Sequence, residues 1–436
     1  MPVYSGKYRY LSESGGCLSQ GPCRLSFDPE TCIVTPEAGA ALAFDLGDID
    51  RVVPGELDLA LTLYTGRVLE LRGFGKVFAA MSDGLLAAWR DRIVRCLLLE
   101  DLEESTRFSG AAALSGKQPQ RAQIRLYGSN LAVIPETGAP LNWRLGDVDS
   151  VRFDEASYSV AINSGSEQLV VSKLARKTDE FVGMVQDALD TLRTQAAAEL
   201  HKLFPFLGPD PLERLLTVMP EGRSVRLAEL AAIHPKLSAA FLARAVDGPL
   251  KPYFEALRSG VEGDSLMAGF KFLREEDAQA AEAEAPEAEA AEEPETAPQE
   301  EPEAPEGEEE ERQPVLFWFL FPMAKNVVAW EAGTGSGRAT YFFRLVARGQ
   351  EASLQNPAVV EAAVASITRG LALVNFRREP VYLPDSSLEE QPRYRRYAIA
   401  CRKLPELREL RARMLGRAIH SSLDAWRAQV KSITGA

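Results

Sequence analysis

Few side chains in this sequence could support metal binding or acid–base catalysis. Its 436 residues include only three histidines, His201, His234 and His420, which lie far apart. Only His420 has a carboxylate, that of Asp424, one helical turn away, so we expect surface or capping histidines. The five cysteines are not spaced like paired zinc ligands. They are Cys17, Cys23, Cys32, Cys96 and Cys401. The sequence therefore predicts no metal site, no cofactor and no catalytic residue.

A glycine-rich loop at residues 333–337, Gly-Thr-Gly-Ser-Gly, is a candidate for a nucleotide phosphate cradle. A phosphate cradle needs such a loop to open a helix, where backbone N–H groups and the helix dipole face the anion. Here the β-prone stretch 339–346 follows, and no Gly-Lys-Ser/Thr is present. The pattern favours a hairpin turn over a nucleotide site.

Basic residues gather near the C-terminus, with aromatic residues among them. Residues 393–431 contain 11 basic and 3 acidic side chains, with Tyr394, Tyr397 and Trp426 interleaved. Phosphate contacts by such a surface are typical of nucleic-acid binding. The apolar stripe predicted for a helix over residues 406–433 favours a helix packed on its own domain with arginines in water, so we do not expect nucleic acid as the partner.

The negative charge of the chain is concentrated in one segment. The net charge is −14, but residues 275–311 contain 18 acidic residues and no lysine or arginine. Without them 49 basic residues face 45 acidic ones. This Ala/Glu/Pro segment cannot bury enough apolar surface to offset chain entropy, so residues 275–312 are predicted to be a disordered linker. It is either a plain spacer or an arm that binds something basic.

An internal repeat is the strongest pattern in the N-terminal half. Residues 36–52 and 135–151 match without a gap at an offset of 99, and 10 of the 17 positions are identical. Each copy contains about seven short β-prone runs, followed by a helical stripe; in the first copy the stripe is Met81, Leu85, Trp89, Ile93 and Leu97. The order predicts two β-barrels, residues 5–104 and 105–200, each closed by one helix.

The repeated sequence resembles the strand–turn–strand signature of pleckstrin-homology-like (PH/GRAM-like) domains. There an apolar strand ends in a Leu-x-Asp-Ile/Val turn, and the next strand begins with valine. The matching residues are Phe44, Leu46, Asp48, Ile49 and Val52 in the first copy, and Trp143, Leu145, Asp147, Val148 and Val151 in the second. Trp89 resembles the helix tryptophan of that family, and the second copy has Ala188 at this offset.

The signature predicts where its side chains point. We expect Leu46 and Ile49 to face the barrel interior on either side of a corner, and the carboxylate of Asp48 to accept backbone N–H bonds in the turn. The resemblance covers about 200 of the 436 residues.

The resemblance also implies two kinds of partner. Domains of this family mostly bind proteins, peptides or lipids without catalysis, and a lipid headgroup needs several converging cations. The first hairpin offers Lys7, Arg9 and Arg24 as possible anion-binding residues. The second copy offers Lys117, Arg121 and Arg125. Both sets match the family pattern incompletely, so ordinary surface charge is the favoured interpretation.

The remaining parts complete an α+β multidomain prediction. Residues 201–274 are predicted to form a small helical bundle, and residues 313–436 a basic α+β domain that begins with the apolar strand 315–321. This longest apolar run is too short to cross a bilayer, and no basic-then-apolar leader is visible at the N-terminus. The excess of arginine over lysine is typical of bacterial genomes rich in G and C. We expect a cytoplasmic bacterial protein.

The sequence favours a non-catalytic interaction scaffold that binds a protein partner through its tandem PH-like domains. Two alternatives stay open. One is peripheral membrane or nucleic-acid binding through basic patches, and the other is an enzyme with a site in the C-terminal domain. The sequence does not identify the partner.

Overall fold

The computed structural model describes residues 2–99, 102–136, 139–165, 167–246, 248–261, 265–273, 314–323, 326–333 and 338–435. They divide into two compact units: Met1–Leu192 with Arg378–Arg411, and Arg193–Arg377 with Ala412–Ala436. The acidic segment 275–312 and residues 334–337 of the glycine-rich loop lie outside the described residues, so the predictions for them stay predictions.

The first repeat is a seven-stranded antiparallel sheet followed by one helix. Its elements are β1 Val3–Leu11, β2 Cys17–Phe27, β3 Thr31–Pro36, β4 Leu42–Asp45, β5 Ile49–Pro54, β6 Asp58–Leu63, β7 Val68–Arg72 and α1 Phe78–Cys96. The strand order is β4-β3-β2-β1-β7-β6-β5. Alternate residues of β6, Leu59, Leu61 and Leu63, are buried, as the period of two in a half-exposed strand requires.

The second repeat has the same strand order. Its elements are β8 Glu104–Leu114, β9 Gln120–Tyr127, β10 Asn130–Pro135, β11 Leu141–Arg144, β12 Ser150–Asp154, β13 Ser159–Ser164, β14 Glu167–Ser172 and α2 Thr178–Leu203. Its sheet runs β11-β10-β9-β8-β14-β13-β12. Phe108 and Phe181 meet edge-to-face in its core, with ring centroids 5.2 Å apart. The two copies of the sequence repeat therefore form sheets of identical connectivity.

The second unit begins with helices and continues into a sheet. Its elements up to residue 377 are α3 Pro209–Val218, β15 Ser224–Arg226, α4 Leu227–Ile233, α5 Leu237–Ala245, α6 Lys251–Ser259, β16 Met267–Phe272, β17 Val315–Met323, β18 Val327–Ala332, β19 Ala339–Arg344 and α7 Pro357–Leu373. As predicted for an apolar run, β17 is buried on both faces: Phe319 packs on Phe254, with centroids 4.9 Å apart, and Trp318 packs on Phe376 at 4.3 Å.

The next 34 residues, Arg378–Arg411, belong to the first unit, and we call them the docked segment. Their helices are α8 Glu379–Tyr382, α9 Asp385–Glu390, α10 Arg395–Lys403 and α11 Pro405–Arg413. The chain then returns to the second unit with β20 Met414–Ile419 and α12 Leu423–Thr434. The sheet of that unit has the order β15-β16-β17-β18-β19-β20.

Two sequence predictions differ from this architecture. Residues 201–274 are not helical throughout: β16 pairs antiparallel with β17, across the acidic segment, so the sheet draws on both sides of the predicted linker. The single helix expected over residues 406–433 is divided, because residues 414–419 pair with β19 as a strand. In both places hydrogen bonds to a distant strand outweigh the local helical pattern.

Candidate functional site

A 3-10 turn between β4 and β5 forms the centre of the candidate site. The turn is Leu46–Asp48, and Asp45 precedes it with a side chain that accepts the Gly47 N–H at 2.7 Å. Asp45 also receives two bonds from Arg92 of α1, at 2.6 and 2.9 Å. The carboxylate that caps this turn is thus Asp45. The sequence prediction that Asp48 does so is wrong, since the Asp48 carboxylate is bound elsewhere.

The carboxylate of Asp48 is bound by two guanidinium groups of α10. Arg395 donates to it at 2.8 and 3.0 Å, and Arg402 donates at 2.5 Å. Both arginines also pair with Glu389 of α9. Charge-assisted bonds of this kind are shorter and stronger than neutral ones. The acidic turn, which we define as Asp45, Asp48 and Asp50, therefore meets a cluster of cations.

Lys403 makes the third charged contact of α10 with the acidic turn. Its ammonium donates to the Asp50 carboxylate at 2.5 Å and to the Ile49 carbonyl at 2.8 Å. Arg395, Arg402 and Lys403 stand at positions i, i+7 and i+8, which lie on one face of a helix. One face of a nine-residue helix thus supplies all three cations.

An apolar contact lies between these charges. Ile399, four residues after Arg395, is fully buried. A Cβ added to Gly47 would lie 2.9 Å from the Ile399 Cδ1 atom, closer than such atoms approach one another. The helix therefore reaches the turn because Gly47 has no side chain.

Burial shifts the pKa values of the charged groups at the contact. Desolvation raises the pKa of Asp48, while the charges of Arg395 and Arg402 oppose that shift. Desolvation lowers the pKa of Lys403, and its hydrogen bond to Asp50 opposes this. Both groups lose water when α10 is in place, so each depends on its partner across the contact.

The signature residues occupy related places in the two repeats. In the first, Leu46 and Ile49 are fully buried, Val52 and Trp89 are nearly so, and the Trp89 indole N–H donates to the Ile49 carbonyl at 3.2 Å. Phe44 is half-buried on β4. In the second, Trp143 and Leu145 are buried and Asp147, Val148 and Val151 are half-buried.

The acidic turn of the second repeat has a different partner. Arg144 stands where the first repeat has Asp45, and its guanidinium lies 3.7 Å from the Asp147 carboxylate. The second turn thus carries its own counter-charge three residues away. Ala188, at the Trp89 position, has no side-chain N–H that could donate to the turn carbonyl. These differences explain why a basic helix suits the first turn better.

The predicted anion-binding residues are placed on the β1–β2 hairpin. Lys7 and Arg9 lie two residues apart on β1, and Arg24 pairs across from Ser5 on β2, so all three share one face of the sheet. Lys7 and Arg24 are exposed, while Arg9 lies 3.7 Å from Glu70. Headgroup binding at this face stays a prediction. In the second repeat Arg125 is buried and paired with Asp91 and Glu104, which gives it a structural role.

His420 is not the surface residue that its sequence position suggested. Its imidazole, 5% exposed, lies 3.2 Å from the Glu331 carboxylate and stacks on Tyr253, with ring centroids 4.1 Å apart. Thr340 donates to Glu331 at 2.6 Å and accepts the Trp426 N–H at 2.9 Å. This polar cluster stabilises the sheet of the second unit. Among the described residues no three histidine, cysteine or acidic side chains gather as metal ligands would.

Sequence reasoning missed the three cations that bind the acidic turn. Arg395, Arg402 and Lys403 belong to the basic stretch 393–431, in which a helix was predicted only from residue 406 onward. Their spacing, with Ile399 between them, is a recognisable signal of one helix face. Their partner lies about 350 residues earlier in the chain, and no local pattern connects the two.

Comparisons with known proteins leave the family open. No protein-family model matches the chain, and no curated protein matches it. One solved structure, "The pleckstrin homology (PH) domain of USP37", shows 22% identity over 20% of this chain and 97% of that one, with a TM-score of 0.17. A score this low carries no structural argument. Within the described part of the chain, no helix has the length and apolar content needed to cross a membrane.

Proposed function

We propose that this chain is a non-catalytic interaction scaffold built on two PH-like repeats, and that its first repeat binds a basic helix through the acidic turn. The contact of α10 with that turn supports this most directly, because it is a complete example of such binding within one chain. Ion pairs, hydrogen bonds and an apolar contact act together there, as in interfaces with a buried centre.

The PH-like assignment is supported by the connectivity. Each repeat has seven antiparallel strands in one order followed by one helix, which agrees with what the sequence signature implies. In this proposal the protein partner contains a helix with the residue pattern of α10. That pattern is an arginine at position i, an isoleucine-like residue at i+4, an arginine at i+7 and a lysine at i+8.

The docked segment occupies this site in the isolated chain. A covalently attached ligand has an effective concentration of roughly millimolar when its linker spans the distance. An external helix therefore has to compete with α10, or to arrive when α10 has left. In this proposal α10 occupies the acidic turn until an external helix displaces it.

A trans-binding experiment on the full chain tests the proposal. A variant carrying R395Q, R402Q and K403Q removes the cations of α10, and a fluorescent peptide of residues 379–413 serves as the external helix. We expect the peptide to bind this variant much more tightly than the wild type, whose site is occupied. Adding D48A should abolish binding, while D147A in the second repeat should leave it intact.

Two results would contradict the proposal. One is a folded triple variant, verified by circular dichroism, that does not bind the peptide. The other is equally tight binding of the peptide to the triple variant with and without D48A, which would place the peptide elsewhere.

A further inference from the structure

A cavity of about 560 Å³ lies within the first unit, between the first repeat and the docked segment. Its size is within the range of about 300–1,000 Å³ typical of small-molecule sites. The walls come from β5, the residue after β6, and helices α9, α10 and α11. The lining residues are Asp50, Tyr64, Asp385, Leu388, Glu389, Ala398, Cys401, Arg402, Arg408 and Arg411.

Each of the three acidic residues of the lining is paired with a basic side chain. Asp50 is bound by Lys403 at 2.5 Å, and Asp385 by Arg411 at 2.6 Å. Glu389 pairs with both Arg395 and Arg402. A cationic ligand would have to displace one of these partners, so the cavity does not favour positive charge.

Arg408 differs from every other charged residue of the lining. It is exposed, and no side chain or carbonyl of the described residues pairs with its guanidinium. Arg411 is engaged by Asp385 and by the carbonyl of Leu383. As far as the described residues show, Arg408 therefore leaves a planar guanidinium available to bind an anion at the cavity wall.

The rest of the wall is apolar or aromatic. Leu388, Ala398 and Cys401 are buried residues whose side chains border the cavity. Tyr64 is 44% exposed as a residue, and the Arg402 guanidinium lies 4.1 Å from the centroid of its ring. A flat apolar group can contact this ring and the aliphatic wall together.

We propose that this cavity binds a small organic anion, with its phosphate or carboxylate on Arg408 and its apolar body against Tyr64, Leu388 and Ala398. The proposal does not require an external helix, because all of the walls belong to this chain. Because its walls come from both the first repeat and the docked segment, a bound anion also stabilises the docked state by mass action.

Titration of the full chain with three probes tests this site. Phenyl phosphate carries both features, inorganic phosphate only the anion, and phenol only the ring. We expect phenyl phosphate to bind more tightly than either fragment. R408Q should weaken its binding about tenfold or more, because a charge-assisted bond is lost. R348Q changes an exposed arginine of the second unit and serves as the matched control.

Each other outcome overturns the proposal. Equal affinity of wild type and R408Q for phenyl phosphate removes the role of Arg408. Phenol binding as tightly as phenyl phosphate removes the role of the anion, and inorganic phosphate doing so removes the role of the apolar wall. Since Arg408 is exposed, R408Q should fold normally, and R408K provides a second variant that keeps the charge but loses the planar fork.

Discussion

At the scale of single residues, Asp48 is the side chain on which docking of α10 depends most. It is nearly buried and shared by two guanidiniums, each of which also pairs with Glu389. Removal of one member of a buried ion pair lowers the stability strongly, because the charges that remain have lost their partner. The second repeat supplies a natural comparison, since Asp147 is half-buried and has one guanidinium at 3.7 Å.

We expect D48A to lower the free energy of unfolding of the first unit by about 2–4 kcal/mol. D147A should cost about 0.5–1 kcal/mol, because its single pair is longer. Urea unfolding followed by tryptophan fluorescence measures both. Equal losses in the two variants would mean that α10 adds nothing to the role of Asp48.

The raised pKa of Asp48 predicts a pH dependence with a definite sign. Because desolvation raises its pKa in the folded chain, the folded state binds this proton more tightly than the unfolded state, whose carboxyl has a pKa of about 3.9. The proton-linked part of the Asp48 contribution to stability is therefore complete below about pH 3.9 and is lost as the pH rises through the folded pKa, while the hydrogen bonds from Arg395 and Arg402 remain.

The measurement compares wild type with D48N at pH 3.5 and pH 6.5. We expect the stability of the wild type, relative to D48N, to be greater at the lower pH, since asparagine does not titrate. A relative stability that increases with pH would show instead that the two guanidiniums outweigh desolvation and lower the pKa.

At the scale of elements, the contact between α10 and the acidic turn requires a residue without a Cβ. The space at Gly47 is filled by the Ile399 side chain, and an added Cβ would lie 2.9 Å from it. The other neighbour is the Asp45 carboxylate oxygen at 3.1 Å. The helix and the turn are thus matched in shape as well as in charge.

We expect G47A to lower the stability of the first unit by about 1–3 kcal/mol through overpacking. I399A alone should cost about 2–4 kcal/mol, since it leaves a cavity. The double variant G47A/I399A should lose less than the sum of the two, because the new methyl group fills part of that cavity. Additive losses in denaturant unfolding would show that the two residues do not share this space.

At the scale of the whole molecule, the chain leaves the first unit after Leu192, and the docked segment, 378–411, returns to it. Segments that are distant in sequence therefore share one compact unit, which we expect to unfold cooperatively. Regions within one such unit open together in native-state hydrogen exchange. The protection of α10 should consequently follow the stability of the first repeat, although its sequence neighbours belong to the second unit.

Hydrogen exchange measured by mass spectrometry checks this expectation. L85A removes a buried side chain of α1 and should lower the protection of both β1–β7 and residues 395–403. F319A in the second unit should lower the protection of β17–β19 and leave residues 395–403 nearly unchanged. Loss of protection in α10 on F319A, but not on L85A, would contradict the division into units.

Periodicity and the internal repeat predicted several elements well. The offset of 99 residues predicted two repeats with the same order of elements. The hydrophobic period of two predicted the strand β6, and the period of about four predicted the helix α1. These signals are local, because a side chain's face depends on its neighbours along one element. The apolar run at β17 likewise predicted a strand buried on both faces.

Pairing across the chain was decided by the tertiary structure alone. β16 lies in a region that was predicted to be a helical bundle. It is a strand because it pairs with β17, which lies beyond the acidic segment in the sequence. The candidate site follows the same rule: the sequence by itself determined an acidic turn and a basic stretch, but neither the helix Arg395–Lys403 nor its contact with the turn. Asp48 and Arg395 are 347 positions apart, and charge patterns carry no information about partners at such separations. Only folding brings Gly47 against Ile399 and excludes water from the ion pairs. In that environment the Asp48 carboxylate binds Arg395 and Arg402 and does not cap the turn.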